Sequence, residues 1–310
     1  MPRDSTAPDH GDPPSPEDWR AHLEEIGTRD GFFRRLGEMH SALHVERGDT
    51  LIVTFENLDH VYDRGENRMP WGYGFVETNG WSMLGLMAHG WTWYRDEAVH
   101  DFFDGLRKAG FFSKFKRVIF YGASMGGYAA AAFSAAAPGA TVILISPQAT
   151  LSRDVAPWET RYRKSWRRDF ASRYGYAPDM TSEADHVYLF YDPVAPLDAM
   201  HAALFSGGNV SRFRCRYFGH RIASMWARTG ILKPVIHACI DGSITPAFFY
   251  GHLRARRQDM KYQRAMLSRL QEARHWKRIV RLCEAVLARQ RAPRFRRALK
   301  QARAALDRRA

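Results

Sequence analysis

One serine in this chain stands in a setting that could make it a nucleophile. The segment Gly122–Gly126 has the pattern Gly-x-Ser-x-Gly with Ser124 at its centre, and Gly127 extends the run of small residues. The apolar run Arg117–Tyr121 before it predicts a strand, and the alanine-rich run after it, which stops at Pro138, predicts a helix. Small flanking residues allow the sharp turn that lifts a serine hydroxyl clear of a sheet. We therefore predict a nucleophilic serine; the alternative is an ordinary tight turn.

A serine hydroxyl is a weak nucleophile at neutral pH and needs a base to take its proton. The chain has 13 histidines, so position has to select among them. His220 follows Gly219 directly after the predicted strand Ser211–Phe218, the last strand along the chain. By contrast, His186 begins a predicted strand and His201 lies in a predicted helix. We predict that His220 is the general base; the alternative is a histidine in a surface loop.

A catalytic imidazole needs a carboxylate that fixes its tautomer and stabilises its protonated form. Asp192 follows the predicted strand His186–Tyr191 and precedes Pro193. Open α/β sheets place their sites at the carboxyl ends of strands, which favours this residue. Asp198 is the rival, although its position just after Pro196 is typical of a helix N-cap. We predict Asp192 as the acid; a simple Asp-Pro turn is the alternative.

An oxyanion that forms at such a site needs backbone N–H donors. The N–H of Met125, directly after the serine, is the first predicted donor. The second is expected after the predicted strand Leu51–Phe55, from Asn57 or Leu58. No His-Gly-Gly-Gly run occurs there, so the sequence does not choose between the two.

Residues 51–236 resemble the α/β-hydrolase family. The resemblance rests on Gly122–Gly127, on Asp192–Pro196, which is similar to the acid-bearing loop of that family, and on Gly219-His220. It implies a serine nucleophile, an aspartate acid and a histidine base in that chain order, with no cofactor. The stretch from Gly80-Trp81 to Ser124 also resembles the hydrolase-like accessory secretion proteins thought to modify glycans.

These residues predict a serine hydrolase that cleaves an ester, thioester or amide through an acyl-enzyme, acting on a small-molecule or glycan-type acyl substrate. Three alternatives remain open. One is an acyltransferase that passes the acyl group to a glycan or another alcohol. Another is a catalytically silent, hydrolase-like binding module, and the third is association with nucleic acid through residues 251–310. The motifs of zinc proteases, P-loops and dinucleotide-binding turns are absent from the sequence, so no metal site is predicted.

The elements that position these residues alternate between strand and helix. Over residues 51–236 this order predicts an α/β fold, a mostly parallel sheet with helices on both faces. Further predicted elements are a helix from Pro16 towards Ile26, a short helix over Phe32–His40, a short strand over Gly74–Glu77 and a helix over Asp96–Lys108. The tail predicts two or three amphipathic helices and no strand.

Composition changes along the chain predict its domains. Residues 1–16 form a flexible leader rich in proline and polar residues, residues 17–245 the α/β-hydrolase domain, and residues 246–310 a basic, all-α C-terminal extension. Within the domain, residues 151–184 are irregular in pattern and are predicted to be a cap. Trp158 and Trp166 lie there among arginines, so we predict that they bind an acidic or sugar-bearing substrate. Alternatively, the tryptophans pack on the body of the domain.

Positive charge is concentrated in the tail. The chain has a formal net charge of +13, and residues 251–310 hold 19 Lys and Arg against four Asp and Glu. Such helices could attract an acidic partner or a polyanion; the alternative is a solvated arginine-rich face. Three widely spaced cysteines do not predict a disulfide framework. Neither a signal peptide nor a transmembrane segment is recognised, so a cytoplasmic location is expected.

Overall fold

The structure, a computed structural model, describes residues 16–57 and 69–308. Residues 1–15, nearly all of the predicted leader, and Leu58 lie outside the described residues. The strands are β1 (Gly31–Leu36), β2 (His40–Val45), β3 (Thr50–Asn57), β4 (Ser82–Ala88), β5 (Arg117–Ala123), β6 (Thr141–Ile145), β7 (His186–Tyr191) and β8 (Val210–Arg214). The helices are α1 (Pro16–Asp30), α2 (Tyr73–Thr78), α3 (Glu97–Lys108), α4 (Met125–Phe133), α5 (Ala177–Met180), α6 (Pro196–Leu204), α7 (Ile222–Arg228), α8 (Leu232–Ile240), α9 (Pro246–His252), α10 (Met260–Glu272), α11 (Trp276–Leu287) and α12 (Pro293–Asp307).

The strands form one mostly parallel sheet in the order β1, β2, β4, β3, β5, β6, β7, β8. β1 pairs with β2, and β2 with β4, in antiparallel fashion. β3 pairs in parallel with both β4 and β5, and β5 pairs in parallel with β6. Every residue of β4 is buried, as expected for a strand whose two faces are both covered. The predicted α/β fold class, with helices following the strands, is confirmed.

The helix predicted over Phe32–His40 is wrong, because this segment begins an antiparallel hairpin. In the register of β1 and β2, Phe32 lies opposite His44, and Gly37 makes the turn at φ 62°. The ring of Phe32 also packs against Phe102 and Phe111, with centroids 6.2 Å apart in each case. These partners are distant along the chain, so a local pattern of helix-forming residues does not reveal them.

The strand predicted over Gly74–Glu77 is also wrong, since α2 covers it. Gly72 enters this helix in a left-handed conformation at φ 86°. The hydroxyl of Thr78 donates to the carbonyl of Gly74 at 2.6 Å, and the side-chain amide of Asn79 donates to that of Phe75 at 2.7 Å. β2 and β4 have no counterpart among the predicted elements.

The described chain divides into two compact units by its internal contacts. Of the described residues, those up to residue 189 and those at 200–212 belong to the first unit, and those at 190–199 and from residue 213 onwards belong to the second. The predicted boundary between residues 245 and 246 stays a prediction. A cluster of aromatic rings lies inside the second unit. Phe190 contacts Phe213 and Trp226, and Phe249 of α9 contacts all three, with centroids 5.0–5.7 Å apart.

The last three helices, α10 to α12, confirm the helical tail predicted from the sequence. Their shared core consists of Leu267, Ile279, Cys283, Val286, Ala292, Phe295, Ala298 and Ala302. Asp259 caps α10 by accepting from the N–H of Tyr262 at 2.8 Å, and it also binds the Arg228 guanidinium at 2.7 Å. An acidic partner or polyanion for these helices stays a prediction.

Residues 151–184 are irregular, as predicted, and are attached to the first unit by specific bonds. The guanidinium of Arg95 donates to the carbonyls of Asp169 and Arg173 at 2.7 and 2.9 Å. The hydroxyl of Tyr128, in α4, donates to the carbonyl of Tyr174 at 2.9 Å. A cap function for this segment stays a prediction. Across residues 16–57 and 69–308, no helix combines the length and the apolar character needed to cross a bilayer.

We expect the burial of His40 to make the stability of this fold dependent on pH. His40 is 4% exposed and contacts the hydroxyl of Thr92 at 2.7 Å. Burial lowers the pKa of His40 from 6.5 to about 4, and the charges of Arg168, His89 and His100 add to that effect, while Asp96 opposes it. The unfolded chain therefore takes up a proton near pH 6.5 that the folded chain refuses until about pH 4.

We expect the free energy of unfolding to keep the full contribution of His40 above pH 6.5. As the pH drops towards 4, this group alone should lower it by about 3 kcal/mol. Denaturant unfolding of the His40→Gln variant, followed between pH 7 and 4, should show a shallower loss than the wild type. His275→Gln, at an exposed position, is the control. Identical pH profiles for wild type and His40→Gln would contradict the assignment.

Candidate active site

Ser124 occupies the sharp turn between β5 and α4, both in the first unit. Its backbone lies at φ 54° and ψ −122°, a conformation that costs a non-glycine residue about 1–3 kcal/mol. The N–H of Ser124 donates to the carbonyl of Ile145 at 2.9 Å, which continues the β5–β6 ladder into the turn. Its side chain does not cap α4 and is partly exposed. The turn thus presents the hydroxyl instead of using it within the helix.

Glycines around this turn are required by close backbone approach. A Cβ on Gly122 would collide with the carbonyl oxygen of Gly126. A Cβ on Gly126 would lie 2.5 Å from the carbonyl oxygen of Phe55, so the end of β3 lies against the first turn of α4. A Cβ on Gly127 would lie 3.2 Å from Pro147. The Gly-x-Ser-x-Gly-Gly pattern is therefore a steric requirement of this strand, turn and helix.

Met125 begins α4, so its N–H has no carbonyl partner four residues earlier within the helix. The helix dipole adds partial positive charge at this end. The Met125 side chain is buried, and its sulfur accepts from the N–H of Trp93 at 3.3 Å. The arrangement provides one donor beside Ser124.

The predicted second donors can be placed only in part. Asn57 is the last residue of β3, is 8% exposed and lies opposite Ala88 in the β3–β4 register. The carbonyl of Phe55 lies close to Gly126. The chain that leaves β3 therefore starts beside the turn between β5 and α4. Leu58 lies outside the described residues.

His220 and its carboxylate partner lie in the second unit. The Nδ1 atom of His220 is 3.0 and 3.1 Å from the two oxygens of Asp198, which is buried, while the imidazole is 27% exposed. A carboxylate can only accept, so Nδ1 carries the proton and Nε2 is left as the acceptor. This is the tautomer that a general base requires.

Asp192, the predicted acid, makes other contacts. One of its oxygens accepts from the N–H of Val194 at 2.9 Å, and the other from the N–H of Gly219 at 2.7 Å. The buried carboxylate thus fixes its own turn and the residue that precedes His220. The geometry differs from the predicted pairing, because Asp198 faces the imidazole and Asp192 binds backbone amides.

Trp158 packs against a buried charged network that the sequence did not reveal. Its ring lies 4.5 Å from that of His201, whose Nε2 contacts Glu159 at 3.0 Å. The N–H of Ala149 donates to His201 Nδ1 at 3.1 Å, so Nε2 carries the proton. Burial acts to raise the pKa of Glu159, but hydrogen bonds from His201 and Arg161 outweigh it and hold the pKa at about 2. Both His201 and Glu159 are fully buried, so this pair supports the loop after β6 and is not accessible to substrate.

Trp166, the second predicted substrate-binding residue, lies in a short 3-10 helix over Arg163–Arg167. The guanidinium groups of Arg153 and Arg163 lie 5.0 and 5.8 Å from its ring centroid. Its role stays a prediction. Among the described residues, no group of three or more His, Cys, Asp and Glu side chains is arranged to hold a metal ion.

No family model matches this chain, and no curated protein matches it. Several solved structures, however, are similar to this chain. The capsule O-acetyltransferase of Neisseria meningitidis serogroup A is 12% identical, with 64% of this chain and 91% of that one covered at a TM-score of 0.42. The Pyrococcus furiosus esterase Pf2001 is 16% identical, with 66% and 87% covered at 0.44. The Glycosylation Associate Protein complex from Streptococcus agalactiae is 14% identical, with 66% and 45% covered at 0.42.

At these identities and scores the matches establish neither an activity nor a substrate for this chain. Its own architecture defines the class of fold. A mostly parallel sheet carries the Gly-x-Ser-x-Gly turn between β5 and a buried helix, which is the α/β-hydrolase arrangement. The resemblance predicted from Gly122–Gly127 is confirmed at the level of the fold.

The steric origin of the turn can be tested with one methyl group. We expect Gly122→Ala to lower the free energy of unfolding by about 2–4 kcal/mol, because its Cβ meets a backbone carbonyl that cannot move away. Gly105→Ala in α3 is the control, since its Cβ meets nothing within 4 Å and alanine favours the helix by about 0.5–1 kcal/mol. Equal stability of the two variants in urea denaturation would contradict this account of the turn.

Proposed function

We propose that this protein is an acyl-transfer enzyme in which Ser124 is the nucleophile, His220 the general base and Asp198 the acid. Ser124 attacks the carbonyl carbon of an ester, thioester or amide, and His220 takes the hydroxyl proton. The leaving group departs with that proton, and water or an alcohol then resolves the acyl-enzyme. The proposal replaces Asp192 with Asp198 as the acid.

The observation that carries the proposal is the strained turn at Ser124. Glycine would adopt φ 54° without strain, yet a serine stands there with its side chain partly exposed at the start of a helix. A turn that only connected β5 to α4 would not need a side chain at this position. Strain of this kind is stored where the surrounding structure holds a group for function.

The His220–Asp198 pair supports the proposal independently. The carboxylate is buried and contacts Nδ1 with both oxygens, so the imidazole cannot flip without losing a hydrogen bond. The partly exposed ring offers Nε2 as the acceptor that a serine needs. Asp192, through Gly219, acts as a positioning residue for the loop that carries this imidazole.

The oxyanion is assigned to the N–H of Met125 together with a second donor from the chain that leaves β3. Asn57 and Leu58 remain the candidates for that donor. The closeness of the Phe55 carbonyl to Gly126 supports this origin, because it brings the end of β3 to the first turn of α4. Removal of one such donor typically costs about 10²–10³ in rate.

A fluorophosphonate probe tests the nucleophile without knowledge of the substrate. We expect folded wild-type protein to be labelled, and Ser124→Ala to abolish labelling. Ser113→Ala, at an exposed serine outside the proposed site, should label like the wild type. Absence of labelling in folded wild type would overturn the catalytic proposal and favour a non-catalytic binding module.

The two aspartates can be separated by a matched pair of variants. Asp198→Asn should slow labelling by about 10³–10⁴-fold, because the amide no longer stabilises the protonated imidazole. Asp192→Asn should slow it much less and mainly lower the melting temperature, since it loses an acceptor for the Gly219 N–H. A larger loss of labelling in Asp192→Asn than in Asp198→Asn would restore Asp192 as the acid.

A further inference from the structure

The loop after β4 presents an unusually exposed aromatic ring. Trp91 is 48% exposed, the largest fraction among the exposed large apolar side chains of the described residues. Its ring lies 5.9 Å from that of Tyr162, with 31° between the two planes. Exposed rings of this kind offer a flat apolar face, which suits the C–H face of a sugar ring or another planar group.

The rings of Trp91 and Tyr162, here called the Trp91–Tyr162 platform, are connected through packed residues to Met125, the residue after Ser124. The ring of Tyr162 also contacts that of Trp93 at 5.0 Å, and Trp93 is fully buried. The N–H of Trp93 donates to the sulfur of Met125 at 3.3 Å. Trp91, Tyr162 and Trp93 therefore form a continuous aromatic path, all within the first unit, that ends at the first residue of α4.

The segment that carries Tyr162 has cations without carboxylate partners. Arg161 is paired with Glu159 at 2.6 Å, and Arg173 with Glu97 and Asp101 at 2.5 Å. Four further exposed cations make no ion pair within residues 16–57 and 69–308, namely Arg153, Arg163, Lys164 and Arg167, whereas Arg168 interacts electrostatically with Asp96. The guanidinium groups of Arg153 and Arg163 both lie against the ring of Trp166. Anions are the complement of such a surface.

We propose that the Trp91–Tyr162 platform and the unpaired cations of residues 153–168 form a subsite for an anionic saccharide that carries the acyl group. This rests on the proposed function. Ser124 Oγ forms the bond to the acyl carbon, the bond from that carbon to the sugar oxygen breaks, and the proton held by His220 passes to that oxygen. Water then releases the carboxylic acid from Ser124. A nucleic acid could also stack on the rings, but its phosphodiesters offer no acyl carbon to a serine.

Binding can be measured on Ser124→Ala protein, so that it does not depend on turnover. The probes are polygalacturonate and a phosphate-bearing mannan, with dextran as the neutral polysaccharide and oligo(dT) as the nucleic acid. We expect the two anionic polysaccharides to bind, to quench tryptophan fluorescence, and to bind far more tightly than dextran or oligo(dT). Trp91→Ala should weaken binding about tenfold and Trp91→Phe much less. Arg163→Glu combined with Arg167→Glu should weaken it at least tenfold.

The control for charge is Arg289→Glu combined with Arg291→Glu, two exposed arginines in the connection between α11 and α12. This variant has the same change of net charge and should bind like the parent. Binding of neither anionic polysaccharide, equal loss in both double variants, or preference for oligo(dT) would each overturn the subsite. If the fluorophosphonate labels wild-type protein but no saccharide binds, the subsite is wrong and the catalytic proposal stands. If the saccharides bind but the probe does not label, the catalytic proposal is wrong and the binding surface stands.

Discussion

The geometry of the candidate site depends on one constraint, the close approach of backbone segments around Ser124. Gly126 lies against the Phe55 carbonyl, and a side chain on Gly122 would collide with Gly126. Such closeness is possible because glycines stand at the contacts, and α4 is buried along its whole length. The packing of this helix against β3, β5 and β6 holds the strained turn in place, since the strain of one residue is small beside the burial of an entire helix. The same packing that builds the fold thus fixes the position of Ser124.

The two aspartates after β7 show how neighbouring carboxylates acquire different roles. Both are buried, so each must be satisfied by donors. Asp192 uses its two oxygens on backbone N–H groups of Val194 and Gly219, which leaves it fully engaged. Asp198 turns both oxygens to one imidazole nitrogen instead. The arrangement at Asp192 fixes a loop, and the arrangement at Asp198 fixes the tautomer of an imidazole, which is why the proposed function assigns the acid to Asp198.

Sequence patterns predicted the elements whose determinants are local. The strands β5, β6 and β7 are apolar and β-branched or aromatic, α3 has an N-cap at Asp96 and a helical apolar period, and the serine turn has its glycines. The hairpin of β1 and β2 depends on pairing and on distant phenylalanines, and β4 has methionines, leucines and a glycine where β-branched residues would be expected. The sequence pattern favoured Asp192 over Asp198 as the acid, whereas the carboxylate that contacts His220 is that of Asp198. An aspartate after a proline is an N-cap by pattern, and only three-dimensional structure shows which carboxylate faces His220.

Two basic regions of the chain differ in what their charge requires. The arginines of α10 to α12 lie on helices whose other face forms an apolar core, so a polar outer surface is already demanded by the fold. Residues 151–168 have no α-helix, so no amphipathic period requires a cationic surface there. Arg161 pairs with Glu159, whereas Arg153 and Arg163 lie against the indole ring of Trp166. The net charge of the tail is larger because it contains more Lys and Arg residues. We infer that an anionic partner fits the segment beside the Trp91–Tyr162 platform better than the tail, because within the described residues 151–168 repulsion between like charges is offset by one ion pair, that of Arg161 with Glu159.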